Sequence, residues 1–352
     1  MVKVSSLKYL VIVAVFVALA VWIFQSVSTT TKSIPKTAPV QVKWLIAHEP
    51  VSLFDRAHKV FVDEFNKDSD GTIEIHIVGP KDFGSDNGHL LTSEVFKALD
   101  DGQVQLATIV VTGLKTLDPK LEVLSLPFLF KSESAAGQVL DGPIGKELLE
   151  TVNASTTAQG LAFTFSGGLM AIQSNSKQIR NLEDLKGLRI GTINGAVAEA
   201  TLQSFGAITV PLDSGKGSPA INKLLDTYDG IETPYTRIDT RSSSTVPRYV
   251  SETNHSFFLT TILASDSFYN SLSAQDKSAL VKAARAAAVA EREDSIALKE
   301  KNKVTLQERG TTIVTVSADA TAAFKAKVVG VYEKFAPLFG ADLIQKIQNA
   351  QN

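Results

Sequence analysis

The sequence predicts an α/β protein of two domains joined by a hinge and spanned by one long helix. Three observations carry that prediction. Strand-like and helix-like segments alternate, the alternation restarts near the middle of the chain, and the stretch from residue 272 to about 309 is alanine-rich with helical spacing throughout. With 352 residues, 44% of them hydrophobic and 20% charged, the chain is long enough to bury two cores.

Residues 1–28 stand apart from this pattern. Lys3 and Lys8 precede an apolar run over 9–24, and Ser26-Val27-Ser28 has the small-x-small form of a signal-peptidase site. The run is slightly long for a signal core and slightly short for a spanning helix of ~20 residues. Two readings therefore stand, a removed signal peptide and an uncleaved membrane anchor. Both place the folded part beyond the inner membrane. Residues 29–39, polar with two prolines, read as a linker.

The first α/β unit opens with a buried strand over 41–48 (QVKWLIAH). A helix over 52–67 follows, with Phe54, Ala57, Val60, Phe61 and Phe65 at helical spacing. Asp70-Gly71 turns the chain into an alternating strand at 72–78, and a loop at 82–91 leads to a helix at 93–99 and a strand at 105–111. This order implies a mostly parallel sheet covered by helices. LEVLSLPFLF (121–130) is too short to span a membrane and reads as core. Strand-like segments at 160–165 and 168–173 are separated by Ser166-Gly167, a breaker where a hinge fits.

The second unit has a helical turn at 182–185, a strand at 187–192, a helix at 197–205 and a strand at 208–212. A loop at 213–219, a short helix at 220–225 and a turn into a strand at 228–232 complete it. Ser273 caps the long helix, with Asp276 three residues on, and the helix runs roughly 50 Å at 1.5 Å per residue. A strand at 311–316 and a last helix over 318–335 close the chain. The expected division is 40–166 plus about 258–298 for domain I, and 167–257 plus about 299–352 for domain II.

The charge balance, 35 basic against 37 acidic residues, gives no field that would favour nucleic acid. Cysteine is absent, which removes disulfides, thiolate ligands and a cysteine nucleophile. None of the five histidines falls in a metal-binding spacing, and no G-x-S-x-G elbow exists, so neither a catalytic set, a cofactor nor a metal site is expected. GSDNG and SGKGS read as turns, and the acidic clusters at 100–101 and 291–294 as solvated helix faces. What survives is a ligand-closing receptor whose site lies between domains at the carboxyl ends of strands.

The order of segments after residue 40 resembles the DctP family, the periplasmic substrate-binding proteins of TRAP (tripartite ATP-independent periplasmic) transporters. VKWLIAHEP, LEVLSLPFLF, VLDGPIGKELL, IRNLEDLKGLRI, SFGAITVPL, YDGIETP and LSAQDKSALVKAA carry the likeness. It implies a type II-like periplasmic-binding-protein fold. It also implies a periplasmic receptor that closes on a small organic solute and hands it to the small and large membrane subunits of a permease driven by an ion gradient. A receptor coupled to a membrane sensor is the alternative.

Family members have an arginine just after the domain crossing and a second after the K-G-L-x-[IL] strand. Here these positions hold Met170 and Gly191, and the asparagine of D-G-x-E-N-P is replaced by Thr233. The usual arginine-clamped carboxylate is therefore in doubt. Arg189 alternates onto the face of Gly191, where the missing side chain leaves space, and reads as a surface charge or a displaced ligand contact. Arg237 is a second candidate. Met170 reads as a soft apolar wall or as core. On the first domain, His48 and Glu49 end the first strand, and Asp86 matches a position near the cleft. An acid there without opposing arginines favours a cationic, zwitterionic or hydroxyl-bearing ligand.

Overall fold

Strand β1 (Val40–Ile46) starts with Gln41 and Lys43 exposed on one face and becomes apolar on both faces from Trp44, where both are covered. Val42, Trp44 and Ile46 pack toward Phe54, Phe61 and Phe65, while Leu45 and Ala47 join the core on the other side of the sheet. The computed structural model that shows this describes residues 39–85, 88–193, 195–212, 225–238, 240 and 246–351. The first unit continues with α1 (Asp55–Asp68), β2 (Ile73–Val78), α2 (Thr92–Asp100) and β3 (Leu106–Val110). Trp44 is wholly buried, and its indole N–H donates to Thr108 Oγ1 at 2.9 Å, so the largest side chain of the core leaves no orphan donor.

The segment read as core, 121–130, is core: Leu121, Val123, Leu124, Leu126, Leu129 and Phe130 are all buried. It leads through α3 (Glu133–Asp141) and α4 (Pro143–Ser155) to β4 (Ala158–Ser174). Here the structure corrects the sequence reading, because Ser166-Gly167 does not end a strand. The strand runs on through a kink, with Ser166 at φ 48° and Gly168 at φ 69° and a register shift between Thr164 and Gly168. Beyond it come α5 (Leu182–Leu185), β5 (Arg189–Thr192), α6 (Ala196–Ser204), β6 (Ile208–Pro211), β7 (Gly230–Pro234), β8 (Tyr249–Glu252) and β9 (Phe257–Ser265). The loop and short helix expected over 213–225 lie, but for Leu225, outside the described residues.

The strands hydrogen-bond in the order β2-β1-β3-β9-β4-β7-β5-β6, with β8 on the free side of β4. The expected mostly parallel sheet is instead mixed. β1 pairs parallel with β2 and β3, and β5 parallel with β6 and β7. The spine is antiparallel: β9 lies between β3 and β4, and β4 then pairs with β7. The amino-terminal part of β4 thus belongs to one half of the array and its carboxyl-terminal part to the other.

After α7 (Asp266–Ser271), helix α8 (Ala274–Glu308) is the long helix read from the sequence, and Ser273 Oγ accepts from the Asp276 N–H at 3.0 Å at its start. Ala279, Ala283, Ala284, Ala287 and Ala288 are buried, so a small-residue stripe lets the helix lie close on α1 and β4. Further along, Leu306 joins Tyr235 and Val250 in the core of the other half. One helix therefore serves both halves. Strand β10 (Thr312–Thr315) pairs with β8. The last helix expected over 318–335 is in fact two, α9 (Ala318–Lys327) and α10 (Val329–Phe339), divided at Val328, and α11 (Ala341–Asn349) ends the chain.

The acidic cluster at 291–294 also needs correction. Glu293 and Asp294 do face outward and pair with Arg56, but Glu291 has no exposure. Its carboxylate accepts from the N–H groups of Phe165 (2.7 Å) and Ser166 (2.8 Å) and from Ser295 Oγ (2.7 Å), which fixes the kink of β4 to α8. Arg292 beside it donates to the Phe163 carbonyl at 2.9 Å and to Asp141 at 2.5 Å.

Candidate ligand-binding site

The carboxyl ends of β1 and β7, one from each half, meet at a cluster of charged and aromatic side chains. β1 leads through Ala47 into His48 and Glu49. His48 bridges to His89, and the Glu49 N–H donates to the Gly88 carbonyl at 2.8 Å, so the 88–90 segment is held against the strand end. From the other half, β7 runs into a short turn, Tyr235–Arg237. Gly167 makes this approach possible: a Cβ there would stand 2.6 Å from Pro234 and 2.8 Å from Thr236 Oγ1. With glycine present, Thr236 Oγ1 donates to the Ser166 carbonyl at 3.1 Å and the turn docks on the crossing strand.

That docking delivers Arg237 over the ring of Phe258, 5.2 Å from its centroid. The same ring meets His48 edge-on at 6.1 Å and 87°. Arg237 keeps partial exposure, as a cleft side chain should, although its guanidinium lies deep among protein atoms. Burial lowers it to about 10 while the Glu49 carboxylate opposes the fall, so it stays charged at neutral pH. Among the described residues no side chain or carbonyl accepts a hydrogen bond from it.

His48 is 1% exposed. Burial first, and then the charge of Arg237, hold its imidazole down at about 3, so it is neutral. Its Nδ1 lies 3.3 Å from the Glu49 carbonyl, which assigns the proton to that nitrogen. Nε2 is left as a buried acceptor with no partner among the described residues. One Glu49 carboxylate oxygen accepts from the Val51 N–H at 3.1 Å.

The other sequence candidates lie elsewhere. Met170 and Thr233 are 0% and 1% exposed within the sheet of the second half, on neighbouring strands. Gly191 does not leave space: Leu212 fills it, with three side-chain atoms 3.0 to 3.2 Å from where a Cβ would stand. Arg189 is exposed, donates to the Thr227 carbonyl at 3.2 Å and stacks on Tyr228, a placement that favours the surface reading. Asp86 lies outside the described residues. The structure therefore brings together His48, Glu49 and Arg237, the second of the two arginine candidates.

Sequence reasoning missed Phe258 and the buried pair beneath β7. Glu232 Oε1 lies 2.8 Å from His255 Nε2, both side chains are inaccessible, and the Thr192 hydroxyl donates to the other Glu232 oxygen. Thr253 Oγ1 lies 2.9 Å from His255 Nδ1 and completes the set. This network ties β5, β7 and the segment before β9 together, so the turn carrying Arg237 starts from a fixed strand. The halves also touch at Glu122, whose carboxylate accepts from the Val197 N–H at the start of α6 and pairs with Lys115 at 3.8 Å.

Two half-sheets sharing a strand, a helix spanning both and a charged cluster at facing strand ends define a two-lobed solute-binding protein. The profile of the bacterial extracellular solute-binding protein family 7, DctP, matches residues 47–337, and the chain belongs to that family. A solute-binding protein of Verminephrobacter eiseniae is 30% identical over 66% of this chain and 68% of its own. The C4-dicarboxylate-binding periplasmic protein DctP of Rhodobacter capsulatus is 25% identical over 90% and 93%. The crystal structure of the sugar acid binding protein DctPAm of Advenella mimigardefordensis in complex with galactonate superposes with a TM-score of 0.76, at 24% identity, over 89% of this chain and 98% of that one. Among the described residues no helix is long and apolar enough to cross a membrane.

Proposed function

We propose that the protein is the extracytoplasmic receptor of a TRAP-type secondary transporter, which closes on a small organic acid between its lobes and hands it to the small and large permease subunits. The observation that carries this reading is Arg237 of one lobe, charged and without an acceptor among the described residues, opposite His48 and Glu49 of the other. The names of the family and of its members, receptors for C4-dicarboxylates and a sugar acid among them, support it. The lobes are residues 40–166 plus about 258–298 and 167–257 plus about 299–352, and they rotate about the kink at Ser166-Gly167. Residues 1–28 direct export and are removed or remain as a tether, so the receptor works in the periplasm. Nothing in the site favours coupling to a sensor.

Native mass spectrometry of the purified protein tests the first half of this reading, with a retained organic acid as the expected result. Uptake into liposomes carrying the two membrane subunits tests the second. Uptake that follows an imposed ion gradient and requires this protein is expected; uptake that requires ATP would overturn it.

A further inference from the structure

Resting on the receptor reading and deepening it, we infer that Arg237 is the carboxylate anchor and that His48 and Glu49 form a wall reading a hydrogen-bond donor beside it. The site then takes monocarboxylates with a hydroxyl or ammonium group next to the carboxylate and turns away dicarboxylates.

The argument begins with the contrast between two arginines. Arg292 is deep in the protein and donates to both Asp141 and the Phe163 carbonyl. Arg237 is half-buried, yet among the described residues no hydrogen-bond acceptor meets it, only the Phe258 ring beneath it and the Glu49 carboxylate in its field. A half-buried guanidinium without an acceptor is costly to keep, and a ligand carboxylate that matches its fork of N–H groups removes that cost. The ring covers one face of the guanidinium and leaves its edge, where the donors lie, for the ligand.

The opposite wall sets what else the ligand must carry. His48 Nε2 is a buried lone pair that can accept but not donate, and a second ligand carboxylate has no proton to offer it. Glu49 already places one negative charge in the field of Arg237. One ligand carboxylate leaves the cluster with a single net negative charge and two leave it with a double one, an imbalance that grows as water is excluded. A hydroxyl or ammonium beside the first carboxylate satisfies Nε2 and reaches Glu49. A purely cationic ligand is repelled by Arg237.

Calorimetric titration of the full chain with a matched four-carbon set decides the matter: 2-hydroxybutyrate, 2-aminobutyrate, butyrate and succinate. The two donor-bearing acids are expected to bind at least roughly tenfold tighter than butyrate or succinate, and the stronger of them identifies the donor. Arg237→Gln is expected to weaken that binding by about 10- to 100-fold, with Arg237→Lys recovering only part of the loss. His48→Phe is expected to erase the preference over butyrate while leaving the dependence on Arg237. Melting curves of the unliganded variants establish that each is folded.

Binding of an acid that is equally tight in the wild type and Arg237→Gln overturns this inference and leaves the receptor reading intact, as does succinate binding tightest. If neither this set nor a wider panel of three- to six-carbon acids binds, the receptor reading falls and the inference with it.

Discussion

The kink of β4 and the mouth of the cleft are built from the same kinds of residue, yet they treat buried charge in opposite ways. At the kink, Glu291 has three donors and Arg292 two acceptors. At the cleft, Arg237 and His48 Nε2 lack hydrogen-bond partners among the described residues. Satisfied polar groups hold a backbone in place, whereas unsatisfied ones are what make the cleft cluster a candidate site.

The largest effect expected from breaking this contrast is at the kink. Glu291→Ala strands two buried backbone N–H groups and should lower unfolding free energy by about 3 kcal/mol or more in chemical denaturation. A loss below ~1 kcal/mol would show that the carboxylate does not pin the strand. Arg237→Met, by contrast, should leave the unliganded protein as stable or up to ~1 kcal/mol more stable, because it removes a half-buried charge with no acceptor among the described residues. Gln173 offers a parallel case away from the cleft. It is wholly buried on β4 with neither amide atom partnered among the described residues, and Gln173→Met should add about 1 kcal/mol.

pH sharpens the comparison because the two regions respond with opposite sign. Burial pushes Glu291 up to about 7, while the unfolded chain titrates near ~4.3. Its contribution to stability should therefore fall as pH rises between those values and stay flat above them, measured as the difference between wild type and Glu291→Gln. His48, held at about 3 against ~6.5 unfolded, should show the reverse in a comparison with His48→Asn, with stability lost as pH falls through that window. Each slope is at most ~1.4 kcal/mol per pH unit. The smallest effect belongs to Arg189→Ala, expected to change stability by under ~0.5 kcal/mol and ligand affinity not measurably.

Much of the frame was legible because periodicity records burial. The strands and helices of 41–111, the restart after 182 and the capped long helix all follow from spacing. β9 escaped because it is buried at every position, its Thr260, Thr261 and Ser265 included, so its sequence carries no alternation to read, and the antiparallel spine was missed with it. The breaker at Ser166-Gly167 was recognised as special but read as an end, since sequence shows that glycine permits a bend and not that a carboxylate 125 residues away holds it.

The candidate site was legible in part. His48 and Glu49 followed from strand polarity, whereas the choice between Arg189 and Arg237 depends on which strand end faces the other lobe, a property of tertiary packing. Glu291 did carry a signal: positions 283, 287, 291 and 295 lie on one helical stripe, three of them alanine or serine, so the acid between them is on the buried face.

The place of β9 between β3 and β4 has a consequence for how the chain is made. Residues 257–265 complete a sheet begun at residue 40, and the helix that covers it ends only at Glu308. A fragment growing from the ribosome cannot close its first lobe until most of the chain has been synthesised, and the long loop closure this requires slows acquisition of the native state. Truncation anywhere before residue 265 should yield no folded amino-terminal piece, and the nascent protein stays pliable for most of its synthesis.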